Sequence, residues 1–172
     1  MAKIFFQGQK VFRTSWSTCV AWLLGVMLCT SALAGEGNKD KNLLPQNMLR
    51  SYQTECASCH IAYPPGMLAR QSWRNLMTGL DSHYGADASL DAATIKEISG
   101  WLQDNAGTYK RVDLSPPEDR ITQSAWFVRK HRKIQDDVWL RPSIKSAANC
   151  AACHTQAEQG DYRERNITIP KN

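Results

Sequence analysis

One five-residue pattern occurs twice in this chain, as Cys56-Ala57-Ser58-Cys59-His60 and as Cys150-Ala151-Ala152-Cys153-His154. At this chain's Cys and His frequencies a single CxxCH is expected by chance on the order of 0.005 times, so two copies constrain the fold more than any other feature. The spacing has a chemical reason. Cysteines three apart on a helical turn project from one face, where each can form a thioether with a haem vinyl group. The histidine that follows is then carried beneath the iron. Cys56, Cys59, Cys150 and Cys153 are thus candidate anchors for two covalently bound haems c, with His60 and His154 as the iron ligands attached to each motif.

Other uses of paired cysteines fit less well. A four-cysteine zinc site would need pairs that lie about 90 residues apart to converge, well beyond zinc-ribbon spacing. Two disulfide-exchange sites would lack the strand-then-helix setting of a thioredoxin and would leave both histidines unexplained. Disulfides from i to i+3 within a helix are geometrically awkward.

Only four histidines are present, so His83 and His131 remain, one spare for each motif. His83 lies 23 residues after His60, and His131 lies 23 residues before His154. Past residue 34 the methionines are Met48, Met67 and Met77, all in the first half, which leaves the second haem without a methionine candidate and makes His131 close to forced there if the iron is six-coordinate. Trp73, Leu76, Met77 and Leu80 form an apolar helical stripe in Leu68–Leu80, and one further turn brings His83 to its Leu76/Leu80 side. Phe127, His131 and Ile134 form a second stripe among the cations of Arg129–Lys133, a setting that favours neutral imidazole. We expect His60 to pair with His83 and His154 with His131. Met77 or Met67 competes at the first haem, and crossed pairing between the halves stays open. Bis-imidazole ligation fills the iron's coordination sphere and lowers its potential relative to His/Met ligation, which suits electron transfer rather than substrate chemistry.

The first 34 residues read as a segment apart. Lys3, Lys10 and Arg13 precede an uncharged stretch from Thr14 to Gly35, with an apolar run at Cys19–Leu28 and a small-x-small ending, Ala32-Leu33-Ala34. This is the pattern of a secretory signal peptide cut after Ala34, with an uncleaved anchor as the alternative. Cleavage implies export to the periplasm, with no stable membrane insertion afterwards. Its removal also takes the formal charge from +5 to about +2, which argues against nucleic-acid binding.

Residues 35–112 are expected to form an N-terminal haem domain with three helices, at Met48–Cys56, Leu68–Leu80 and Asp91–Asn105. The last has Ile95, Ile98 and Leu102 as its stripe, Asp91 as N-cap and Gly107 as its end. A carbonyl of the Tyr63-Pro64-Pro65-Gly66 turn is expected to hold the other ring nitrogen of His60. Thr108–Asp119 reads as a linker. Residues 113–172 are too few for an independent core, so the haem would serve as the nucleus of this small, irregular C-terminal domain, walled by Trp126, Phe127, Trp139 and Ile144. The basic stretch Arg129–Lys133 could dock an acidic redox partner.

The runs ECASCHIAYPPG, GLDSHYG and DASLD, the spaced RIT, WF and HR, and the closing NCAACH, GDY and IP together resemble the bacterial dihaem cytochrome c family of small periplasmic electron carriers, over most of residues 52–170. The resemblance implies a mainly α protein with a class I cytochrome c-like N-terminal domain, a less regular C-terminal one and two bis-His haems. It also implies redox partner proteins such as a monohaem oxygen-binding cytochrome and a membrane cytochrome b. The competing class is a dihaem enzyme or sensor, peroxidase-like or gas-binding, with one open haem site.

Overall fold

The computed structural model describes residues 43–109, 112 and 114–171, all within one compact unit. The expected signal peptide lies outside the described residues. Within them the protein is mainly helical, with no β-strand and only isolated bridges. The helices are α1 (Arg50–Cys56), α2 (Arg70–Thr78), α3 (Ala92–Asp104), α4 (Ala125–His131) and α5 (Asp136–Trp139), with one 3-10 turn after α1 and after α2, two between α3 and α4, and three after α5. None is long and apolar enough to cross a membrane.

The first half has a hydrocarbon core. Tyr52 of α1, Leu68, Trp73 and Met77 of α2, and Ile98 and Leu102 of α3 are buried together. Ile98 and Leu102 are almost wholly removed from water, each burial contributing about 1.5–3 kcal/mol. Asp91 caps α3 as its position predicts, accepting from the backbone N–H groups of Ala93 and Thr94 at 3.0 and 3.1 Å. The core's two buried polar tips are satisfied: the Tyr52 hydroxyl donates to the Tyr63 carbonyl (2.6 Å) and the Trp73 indole to the Pro65 carbonyl (2.7 Å).

Helix α2 ends at Thr78 and does not run through Leu80 toward His83. Gly79, at φ −121° and ψ 31°, leaves the helical region, and its N–H bonds to the Leu76 carbonyl. Leu80–Ser82 forms a separate 3-10 turn, so His83 stands at the end of that turn rather than on the α2 stripe. The apolar pattern persists across the break because Leu80 still packs on the core.

Gly107 does not end α3, which is capped by Asn105 bonding to the Trp101 carbonyl. Its N–H donates to the Leu68 carbonyl at 2.9 Å, in a parallel bridge with Ala69. A Cβ at this position would lie 2.6 Å from the Gly66 carbonyl oxygen and collide with the Val112 side chain.

The linker is stitched to the first half. The Ser72 and Ser115 hydroxyls bond at 3.0 Å, Asn75 donates to Asp119 (2.9 Å) and the Tyr84 hydroxyl to the Glu118 carbonyl (2.8 Å). Glu118 and Asp119 adopt left-handed backbone conformations, with φ 52° and 54°. Beyond it, Ser124 caps α4 by accepting from the Phe127 N–H, and Arg129 and Lys130 occupy the last turn, where the helix dipole favours cations. Further hydrogen bonds join the halves, from Leu43 N–H to the Gly160 carbonyl (2.9 Å) and from the Tyr63 hydroxyl to the Ala148 carbonyl (2.7 Å).

Replacing Gly107 by Ala forces the 66–69 segment and Val112 apart, and should destabilise the protein by about 1–3 kcal/mol. Chemical denaturation monitored by circular dichroism checks this; an unchanged midpoint would contradict the close approach.

Candidate haem-binding sites

Cys56 is the last residue of α1, and Cys59 and His60 follow in the turn that leaves it. The second motif is tighter. Cys150–Ala152 is a 3-10 turn, with the Cys153 and His154 N–H groups both reaching back to the Cys150 carbonyl (3.2 and 2.8 Å). In such a turn residues i and i+3 eclipse, so Cys150 and Cys153 share one side. The cysteines form no disulfide with one another. Burial pushes the Cys56 and Cys150 thiols up to about 11, the opposite of the electropositive setting that makes thiolate ligands.

The histidines meet in two pairs. His60 and His83 have ring centroids 6.4 Å apart, and His131 and His154 have theirs 6.1 Å apart. Two imidazoles on opposite sides of one metal, each with a metal–nitrogen bond of roughly 2 Å, have ring centres about 6 Å apart. Both pairs therefore fit a single iron between them. Burial, followed by the neighbouring imidazole, lowers the pKa of both His83 and His154, and Arg120 adds to the effect on His83. Neutral imidazole, the form with a lone pair for a metal, is favoured at both positions.

Each ring is held by its surroundings. Nδ1 of His60 lies 2.7 Å from the carbonyl of Ile61, the adjacent residue, rather than from a carbonyl of the Tyr63–Gly66 turn; that turn supplies instead the Tyr63 ring, stacked on His60 at 4.6 Å and 22°. Nδ1 of His131 lies 2.9 Å from the Phe127 carbonyl one helical turn back, and the Phe127 ring stacks on it at 4.0 Å. In both cases Nε2 is left as the nitrogen directed away from the backbone. His154 Nδ1 and the Tyr162 hydroxyl are buried without hydrogen-bond partners, their rings 5.2 Å apart.

His131, His154, Cys150 and Cys153 open onto one cavity of about 330 Å³. Trp126, Phe127 and Trp139 wall it as expected, together with Ile134, Val138 and Tyr162. Ile144 does not line it; its side chain is fully buried elsewhere in the second half. Met67 from the first half does line it, so distance along the chain was a poor guide to which methionine approaches which motif. Met77 belongs to the hydrocarbon core between α2 and α3.

The sequence matches the family model for dihaem cytochrome c over residues 52–162. The chain belongs to the dihaem cytochrome c family. This dihaem cytochrome is similar to the crystallised diheme cytochrome c of Shewanella baltica OS155, with 34% identity, 74% of this chain and 95% of that one covered, and a TM-score of 0.63. It is also similar to a diheme cytochrome c from Rhodobacter sphaeroides, with 38% identity over 69% of this chain and 99% of that one and a TM-score of 0.59. No curated protein matches the sequence. Two covalently bound haems c are therefore the protein's cofactors.

Residues that sequence periodicity did not single out, Tyr63, Tyr162 and the carbonyls of Ile61 and Phe127, all act on the histidine rings. The segment around Tyr162 is organised by Asp161, which accepts from the Arg163 guanidinium (Nε at 2.8 and 2.9 Å), from the Arg163 backbone N–H (3.0 Å) and from Asn166 (2.8 Å). The bonds from Arg163, side chain first and backbone second, draw its carboxyl from the ordinary 3.8 down to about 2. A carboxylate with a depressed folded-state pKa contributes stability above its unfolded pKa and loses it as pH falls through the folded value. The stability difference between wild type and Asp161→Asn should thus be constant above pH about 5 and shrink between pH about 4 and 2, read from unfolding midpoints across that range.

Proposed function

We propose that this dihaem cytochrome c is an exported, periplasmic carrier of single electrons, with each haem ligated by two histidines. The observation that carries the reading is the pairing of each CxxCH histidine with a distal one at a separation suited to one metal, 6.4 Å for His60 with His83 and 6.1 Å for His131 with His154. Cys56 and Cys59 tether the first haem, and Cys150 and Cys153 the second. Haem supplies the one-electron couple. The chain's part is to close both axial positions, so that oxygen, peroxide or a small substrate finds no open iron. It also holds the imidazoles still, so that little rearranges when the charge on the metal changes.

The protein has no substrate chemistry of its own in this reading. Its partners are redox proteins, of which a monohaem oxygen-binding cytochrome and a membrane cytochrome b are those the family resemblance suggests. The docking surface is the basic stretch Arg129–Lys133 at the end of α4 and just past it, whose four cations are exposed, Lys130 and Lys133 also standing at the rim of the cavity that His131 and His154 share. Such a surface suits an acidic partner and gives association rates that fall as salt screens the charges.

In ferric EPR the wild type should show low-spin haem only. His131→Gly should convert one haem per chain to a high-spin, carbon-monoxide-binding form and leave the other unaltered. A substantial high-spin signal in the wild type would favour an enzyme or sensor, and a change at both haems or neither would refute the pairing. Raising ionic strength from about 0.01 to 0.15 M should slow electron delivery to an acidic partner in stopped-flow mixing; Arg129→Glu with Arg132→Glu, two exposed positions that do not line the cavity, should abolish that dependence.

A further inference from the structure

Tyr63 bridges the first attachment motif and the turn that leads into the second. Its ring stacks on His60, three residues before it, while its hydroxyl reaches across to the second half and donates to the Ala148 carbonyl at 2.7 Å. The same carbonyl oxygen lies 3.6 Å from the sulfur of Cys150. The side chain has little freedom to do anything else. Its own carbonyl accepts the Tyr52 hydroxyl at 2.6 Å from the core, and the buried Pro64 that follows restricts its backbone to extended conformations. A rigid aromatic side chain is thus anchored in the first half, set flat against one candidate iron ligand, and tied to the turn that presents a thioether sulfur of the other haem.

We propose that Tyr63 is the positioning residue that joins the two haem sites. Its ring fixes the plane of the His60 imidazole, and its hydroxyl holds the Ala148–Cys150 turn in place against it. The inference rests on the reading of His60 as an iron ligand and of Cys150 as a haem tether. The contacts run without a gap from His60 to the Tyr63 ring, across the hydrogen bond to Ala148, and on to Cys150. When an electron is exchanged between the sites, one iron goes from Fe(II) to Fe(III) and the other from Fe(III) to Fe(II). Tyr63 stays a neutral phenol throughout, neither gaining nor losing an electron or a proton. Among the hydrogen bonds between the halves, the Leu43–Gly160 bond and the contact of the Trp126 indole with the Met67 carbonyl (3.4 Å) touch neither CxxCH motif.

The two parts of the role separate in two variants of the holoprotein. Tyr63→Leu removes the ring and the hydroxyl; the low-spin EPR signal that survives in His131→Gly, assigned to the first haem, should shift its g values while the other keeps its own. Tyr63→Phe keeps the ring and loses only the hydroxyl. Both EPR signals should then match wild type, while electron redistribution between the haems after flash reduction slows several-fold. Unshifted g values in Tyr63→Leu would overturn the ring's role. Should Tyr63→Leu fail to assemble, Tyr63→Phe decides alone, and wild-type redistribution in it would overturn the proposal. A wild type without a bis-imidazole signal from the first haem would instead sink the ligand reading, and this inference with it.

Discussion

Bringing two imidazoles to within about 6 Å of one another, twice in one short chain, is the arrangement on which the rest of the structure depends. The rings make no hydrogen bond to each other at that distance, and Nδ1 of His154 is buried without a partner. The surrounding structure answers this constraint. His60 and His131 are fixed by carbonyls on Nδ1 and by aromatic faces, Tyr63 for the one and Phe127 for the other. His83 sits against Tyr84, whose backbone is left-handed at φ 53°, and His154 against Tyr162. Four histidines are thus backed by four aromatic rings, and the helices are short because their task is to deliver these residues rather than to pack at length.

The two halves meet that task with different means. The first has a core of its own, built from α1, α2 and α3, and its haem-site residues hang from the ends of those helices. The second has only α4, α5 and single turns, and few fully buried apolar side chains, Phe127, Ile144 and Ala157 among them. Most of its aromatic and aliphatic surface faces the cavity shared by His131 and His154. A segment of this length cannot bury enough apolar area against itself, so the group that fills the cavity has to act as its nucleus.

Much of this was legible in the sequence because it was written in local patterns. The CxxCH motifs mark the two family signatures, the Asp91 cap and the Ile95/Ile98/Leu102 stripe mark α3, and the supply of histidines suggests the pairs the structure brings together. What stayed illegible depends on geometry that no period encodes. The break at Gly79 is a single backbone turn inside an uninterrupted apolar pattern, so the stripe overran the end of α2. Met67 reaches the second cavity because Pro65–Met67 forms a 3-10 turn facing it, a relation invisible to counting along the chain. Tyr63 reads in sequence as the first residue of a proline turn, and its hydrogen bond spans 85 residues.

These long contacts also explain why residues 114–119 are tied to the first half. Each site draws on residues from across that segment. The cavity shared by His131 and His154 is partly walled by Leu43 and Met67, while His83 is backed by Tyr84, whose hydroxyl bonds to Glu118 and whose ring lies under the Arg120 guanidinium at 4.0 Å. Left-handed backbone at Tyr84, Glu118 and Asp119 is costly for residues with side chains, and it persists only where the surroundings over-determine it. Here the hydrogen bonds from Asn75 and from Tyr84 and the cation–π contact do so. Loosening this strap would free the ring beside His83, just as loosening Tyr63 would free the turn beside Cys150. A protein that moves electrons between two fixed points gains from such interlocking, because the separation and orientation of those points are then set by covalent geometry and short hydrogen bonds rather than by a flexible hinge.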